Sequence, residues 1–286
     1  MDLFAQRVAV LATMHRKEEA IAPLLQAELD IKTIVPADFN TDRFGTFTRE
    51  VKRTGDQLAA ARLKAQAGMQ RLGATLGLAS EGSFGPHPAI PYLPCNRELV
   101  VLIDATHDLE IVGYDFSIDT NYRHQVVDSL DAALAFAQQA KFPTHGLVVM
   151  PTADQPDPDA MAQNIVKGIV TESALRDAVQ PLLQRQGCAH LETDMRAMVN
   201  PTRMQAIARA TQDLIRKLRC LCPRCGTPGF DVGDRKPGLP CGLCYAPTAL
   251  TLTAVYQCQT CGFTQDVLYP DGIELADPAQ CQYCNP

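Results

Sequence analysis

The sequence predicts an α/β domain followed by a small module organised by metal, and three observations carry that reading. Over residues 1–219, short apolar runs alternate with segments of helical periodicity, the pattern of a mixed sheet flanked by helices. Over residues 220–286 that alternation gives way to cysteine as the recurring feature. Eight of the chain's 11 cysteines fall there into four pairs of one spacing: Cys222 with Cys225, Cys241 with Cys244, Cys258 with Cys261, and Cys281 with Cys284.

The elements follow in order. Residues 7–13 read as a first buried strand and residues 31–35 as a second. Residues 15–29 between them are rich in helix formers, and Pro23 is expected to kink or shorten that helix. Residues 38–48 form a polar loop around Gly45. A helix over residues 56–72 follows from the spacing of Leu58, Ala61, Ala65, Met69 and Leu72. Residues 75–80, 97–104 and 109–117 are the next three strands. Residues 129–140 are helical and stop before Pro143, and residues 146–150 are a strand. Residues 171–186 are a helix with Pro181 as its expected break, and residues 189–193 are strand-like. Asn200 then caps a last helix that Pro201 opens. Its inward stripe is Met204, Ile207, Ala208, Thr211, Leu214, Ile215 and Leu218.

Composition decides how the cysteines are read. The 286 residues are 46% apolar and 20% charged, an ordinary globular balance. No apolar run approaches the roughly 18–20 residues of a membrane span. The start, MDLFAQRVAVLATMHRKEEA, has no basic segment ahead of its apolar run and no small-residue cleavage site after it. It reads as a strand rather than a signal peptide, so the chain is expected in the cytoplasm with no membrane partner. Thiols stay reduced there, and a dense cysteine pattern points to metal rather than disulfides. The net charge of −6 argues against a protein that coats nucleic acid, although a local basic groove stays open.

Two residues between cysteines let both sulfurs of a tight turn face one ion. Two such knuckles complete the tetrahedral thiolate shell that zinc prefers. Gly226 and Gly262 follow the second cysteine of their pairs, where a permissive backbone closes the turn, and Pro223 stiffens the first knuckle. Residues 248–257 alternate with period two into the third knuckle, Leu250, Leu252, Ala254 and Tyr256 on one side, so a strand is expected there. Pro270-Asp271-Gly272 marks a turn before the last pair. The module therefore reads as a zinc ribbon with two structural zinc ions, all eight ligands thiolate and no open coordination position. Four knuckles pair in three ways: sequential, nested or alternating. The strand between the second and third fits the nested form, and all three stay open.

Three polar clusters fall where strands end. In the first, Thr13-Met14-His15-Arg16-Lys17, the exposed amides of a helix start together with Arg16 and Lys17 favour a phosphate. The second is Ser80-Glu81-Gly82-Ser83-Phe84-Gly85-Pro86-His87-Pro88, read as a rigid loop after the third strand, with Glu81 placed to bind Mg²⁺ or act as a general base. The third comprises Glu192, Asp194 and Arg196, followed by Asn200 and Arg203. Two carboxylates two residues apart face one side of a strand and, beside arginines, suit a metal ion bridging to phosphate oxygens. The bland alternative is a solvated turn and a surface ion-pair network. His107, His124, His145 and His190 are scattered and read as structural or exposed.

With its ATMHRKE start, SEGSFGPHP segment, ETDMRA and NPTRM stretches and cysteine-rich tail, the chain resembles an uncharacterised bacterial family, a domain of unknown function. Its first 120 or so residues also resemble the inosine/xanthosine triphosphate pyrophosphatases. The shared order is a strand with Thr13 and Lys17, a helix containing Ala61-Arg62-Leu63-Lys64-Ala65, and a strand ending in Ser80-Glu81-Gly82-Ser83. That resemblance implies phosphate contacts for Lys17 and Lys64 and a Mg²⁺ role for Glu81. The helix departs from the pattern: Ala59 and Ala60 stand near the position of a Glu-Asn metal pair, with Asp56 the nearest carboxylate, so catalysis is lost, altered or supplied by Asp194. The expectation is a Mg²⁺-dependent hydrolase of a nucleotide or other phosphorylated small molecule, with Glu81, Lys17 and Asp194 catalytic and Thr13, Lys64, Glu192 and Arg196 binding. The alternative is a non-catalytic zinc-ribbon adaptor with a protein or nucleic-acid partner.

Overall fold

The computed structural model describes residues 3–41, 55–152 and 165–286, in two compact units, Met1–Ile215 and Arg216–Pro286. From residue 42 onward, the polar loop expected at residues 38–48 lies outside the described residues.

The first unit opens with β1 (Val8–Ala12), α1 (Glu18–Leu29), β2 (Lys32–Ile34), α2 (Gln57–Leu72), β3 (Leu76–Pro86), β4 (Pro94–Asp104) and β5 (Leu109–Ser117). These strands make one sheet of order β2-β1-β3-β4-β5. β1 lies parallel to β2 and β3, and the pairs β3–β4 and β4–β5 are antiparallel. Parallel neighbours need a crossover, which α1 supplies between β1 and β2. Small residues let α2 approach closely: Ala61 and Ala65 pack with Ala12, Ala79, Leu99 and Val101 of the sheet.

A second sheet follows, built from β6 (His124–Val127), β7 (Leu147–Met150), β8 (Val166–Ile169) and β9 (Ala189–Thr193) in the antiparallel order β6-β9-β7-β8. Helices α3 (Leu130–Gln139) and α4 (Glu172–Gln186) bury Phe136, Leu175 and Val179 against Leu147, Val149 and Leu191. Ser129 and Thr171 cap them by accepting the amides of Ala132 and Ala174. Helix α5 (Pro201–Arg219) comes last. At Gly113 of β5, an added Cβ would fall on the carbonyl oxygen of Ala210 and the amide of Leu214, so glycine is what lets α5 lie against that strand.

The α/β class and its flanking helices are as predicted, with three differences. The strands divide between two sheets, and the second contains β6 and β8, short strands with little apolar pattern that the sequence does not predict. Pro23 and Pro181 lie inside continuous helices. Each removes one backbone bond, and burial of Ile21, Leu25 and Leu29, or of Leu175, Val179 and Leu182, outweighs the loss. The segment read as a rigid loop is the second half of β3, paired with β4 all the way from Leu76↔Asp104 to Pro86↔Pro94. Glu81 is therefore a mid-strand residue opposite Leu99.

The second unit is a three-stranded antiparallel ribbon of β10 (Asp231–Pro237), β11 (Thr251–Gln257) and β12 (Thr264–Leu268), with β11 central. The strand expected in residues 248–257 is β11. Among the described residues, no helix is long and apolar enough to cross a membrane.

Candidate functional site

The four knuckles gather as two tetrads: Cys222, Cys225, Cys258 and Cys261, and Cys241, Cys244, Cys281 and Cys284. Within each, the ligand atoms lie within 4.8 Å of one another. The contacts are 3.7 Å for Cys222–Cys261, 3.6 Å for Cys225–Cys258, 3.8 Å for Cys241–Cys284 and 3.6 Å for Cys244–Cys281. A tetrahedron of sulfurs about 2.3 Å from a central zinc has edges of about 3.8 Å, whereas a disulfide would bring sulfurs to about 2.05 Å. The spacing and the all-sulfur donor set therefore fit zinc. Protonation agrees. A hydrogen bond with Thr227 holds Cys225 below the usual thiol range, at about 6, and the proton shared with Cys244 pushes Cys284 up to about 12. Four crowded sulfurs keep some protons until a cation displaces them.

The ribbon decides the pairing. The first knuckle precedes β10, the second and third flank β11, and the fourth follows β12. Because Asp231 pairs with Gln257, knuckles one and three meet at one end of the ribbon. Because Thr253 pairs with Leu268, knuckles two and four meet at the other. Seven-residue β11 holds knuckles two and three roughly 20 Å apart at 3.3 Å per residue, which rules out the nested form. The arrangement alternates.

In the first unit, β3 runs on to Pro86 after its last pairing with β1, Ala12↔Ala79, leaving a step beyond the carboxyl ends of β1 and β2. Open α/β sheets take ligands at such places. Lys17, Lys64, Glu81, Glu98 and Arg203 are all buried around it. Lys17 Nζ donates to the Ser80 carbonyl at 2.9 Å, and Lys64 Nζ pairs with Glu81. Arg203 Nε donates to Glu98 Oε1 at 2.7 Å, and its Nη1 donates to the Met195 carbonyl. Its guanidinium lies 5.0 Å from the Phe84 ring centre. Asn200, the predicted cap, accepts the Arg203 amide at 3.0 Å and so fixes the helix turn that carries this side chain.

Strand alternation sorts these groups onto two faces. Glu81 shares the α2 face with its neighbour Leu99, and Lys64 reaches it from a helix stripe otherwise lined by Ala60, Ala61, Ala65 and Gly68. Ser80, Gly82, Asn96 and Glu98 occupy the opposite face, with Gly82 beside Glu98 and Phe84 beside Asn96. A Cβ at Gly82 would collide with Glu98 Oε1 and come within 2.5 Å of Arg203 Nη2, so only glycine leaves room for that ion pair.

Burial, and after it the charge of Arg203, lowers Lys17 to about 7. Burial, then Lys17, Arg203, Arg196 and Lys64, lowers His15 to about 3. A neutral imidazole thus sits in a positive potential, which favours an anion. Among the described residues, Thr13 Oγ1, Ser80 Oγ, Asn96 Oδ1 and Glu98 Oε2 are buried without a hydrogen-bond partner. Native interiors seldom leave such atoms bare, so each calls for a hydrogen-bond partner from water or a ligand.

The first two predicted clusters meet here, and Arg203 joins them from the third. Glu192 and Asp194 part company instead. Asp194 accepts from Arg196 at 2.6 Å and from the Gly168 amide at 2.9 Å, and is fully buried. Glu192 pairs with His190 at 3.1 Å, and that ring stacks on His124 at 5.6 Å. The strand ends at Thr193, so strand alternation does not carry through to Asp194 and the expected two-carboxylate metal site does not form. Sequence reading missed Glu98 and Asn96. Their signal is a carboxylate and an amide in phase with Val100 and Leu102 on a strand buried on both faces.

The family described as a domain of unknown function, DUF6671, matches residues 64–286, which takes in Lys64, Glu81, Glu98, Arg203 and all eight paired cysteines. Thr13, His15 and Lys17 lie outside the match. No curated protein matches the chain.

Proposed function

The chain belongs to that family, whose description names no activity, and from the geometry of its own residues we propose a Mg²⁺-dependent hydrolase of a nucleotide or other phosphorylated small molecule, carrying a structural zinc ribbon. The observation that carries this reading is the burial of Lys17 and Arg203 beside the unpartnered hydroxyls of Thr13 and Ser80, at a step in the sheet whose α2 face holds Lys64 and Glu81. Buried cations and hydroxyl donors match phosphate oxygens, and charge-assisted bonds in such a site are strong. Water attacks phosphorus, the bond from phosphorus to the leaving oxygen breaks, and the water's proton passes to the Glu81 carboxylate. Lys17 and Arg203 neutralise the charge that gathers on the phosphoryl oxygens. The zinc ions take no part in this chemistry: when bound, they hold the ribbon's knuckles closed.

The test is phosphate release from a panel of nucleotides and phosphorylated metabolites with Mg²⁺ present. Glu81→Gln should abolish turnover while zinc content stays unchanged, with a lower melting temperature because buried Lys64 loses its carboxylate. Equal turnover in that variant, or none by the native chain on any compound, would sink the proposal.

A second reading, a protein-contact role for the tail, is favoured by Leu243, Tyr245 and Tyr283, exposed apolar side chains on the two knuckles of one tetrad. Replacing all three by serine should leave zinc content intact and, on this reading, release a co-purifying partner. Retention of that partner would count against it.

A further inference from the structure

The four orphaned oxygens have a property that phosphate binding alone does not use. Two are hydroxyls, able to donate or accept, but Asn96 Oδ1 and Glu98 Oε2 are acceptors only. A phosphate cannot satisfy a carboxylate oxygen, whereas a hard cation can. The other carboxylates nearby are engaged, Glu81 by Lys64 and Asp194 by Arg196 and the Gly168 amide. Glu98 is the buried carboxylate with one oxygen fixed by Arg203 and the other open.

The register places the two acceptor-only groups within reach of one ion. Asn96 and Glu98 are two residues apart on β4 and share a face, and Ser80 lies diagonally across from Glu98 on β3. Neighbouring strands are about 4.8 Å apart, so a glutamate side chain spans the gap to the oxygens beside it. All the donors are oxygen and one is anionic, the composition that Mg²⁺ or Mn²⁺ accepts when a substrate phosphate supplies the rest of the shell.

We infer that a divalent cation binds on this face, ligated by Glu98 Oε2 and Asn96 Oδ1, and that Glu98 rather than Glu81 is the metal carboxylate. The inference rests on the proposed phosphate site, because the surrounding lysines and arginine make the ion enter together with an anion. Arg203 is then a positioning residue: by holding Oε1 it turns Oε2 toward the ion.

The experiment is Mn²⁺ uptake by the full-length, zinc-loaded chain, read from the free-ion electron paramagnetic resonance signal with pyrophosphate present and absent. The native chain should take up one Mn²⁺ beyond its zinc when pyrophosphate is present. Glu98→Gln should weaken uptake about tenfold or more, and Asn96→Ala should weaken it measurably while leaving the Arg203–Glu98 pair standing. Glu81→Gln should keep it. Loss of uptake in Glu81→Gln with retention in Glu98→Gln overturns the inference, as does no uptake by the native chain. If Glu98→Gln does not fold, Asn96→Ala decides, and native-like uptake in that variant overturns it. The hydrolase reading fails on a different result, the absence of turnover while Mn²⁺ still binds as described.

Discussion

Lys17 is held below its unfolded value because burial and Arg203 both disfavour its charged form. Between about 7 and 10.5 the unfolded chain binds more protons than the folded one, so this residue makes stability rise with pH across that window. Below it, the full cost of the buried ammonium remains. His15 acts in the same direction between about 3 and 6.5. Unfolding free energies from urea titration should therefore rise more between pH 7 and pH 10 for the native chain than for Lys17→Met, by on the order of 3 kcal/mol. Parallel shifts in the two proteins would contradict the assignment. Gly82→Ala tests the opposite face. The new methyl displaces the Arg203–Glu98 pair, and a loss of about 3–5 kcal/mol is expected, because each charge is left buried without its partner. Chemical denaturation measures it directly.

The elements explain what could be read from the chain and what could not. α2, β5, β9 and α5 were legible because burial on one or both faces leaves a clean period in apolar residues such as Ala61, Ala65 and Met69. The knuckles were legible because CxxC is a local constraint, but their partners were not. Pairing depends on β10 and β12, whose residues, Asp231, Asp234, Arg235 and Lys236 in one and Thr264, Gln265 and Asp266 in the other, carry charge and polarity in place of an apolar rhythm. With a strand between each pair of successive knuckles, antiparallel order fixes the alternating arrangement. The pairing is testable: Cys222→Ser and Cys261→Ser should each remove the same zinc, and combining them should remove no more. A double variant that loses both ions would contradict the alternating form. The crevice was half legible. Lys17 and Glu81 stood out as polar residues beside strands, whereas Glu98 lay inside an apparently apolar strand. Gly113→Ala should cost about 1–3 kcal/mol by pushing α5 off β5, with a lower melting temperature as the readout.

At the scale of the whole molecule, the two units hold their shapes by different means. The first buries aliphatic layers between helices and two sheets, and the second has only a small cluster around Phe230, Tyr256 and Phe263 beside its first tetrad. Zinc held by the two tetrads would supply what that cluster lacks, since structural sites of this kind contribute on the order of 10 kcal/mol to folding. The chemistry is assigned to the first unit alone, where cations and orphaned oxygens converge on the step beyond β1. The measurement that bears most directly on that assignment is calorimetric titration of the full-length chain with pyrophosphate in Mg²⁺ buffer. Saturable binding that weakens about tenfold or more in Lys17→Met is the expected result, from the loss of one buried charge-assisted bond. Absence of binding, or equal affinity in that variant, would contradict it.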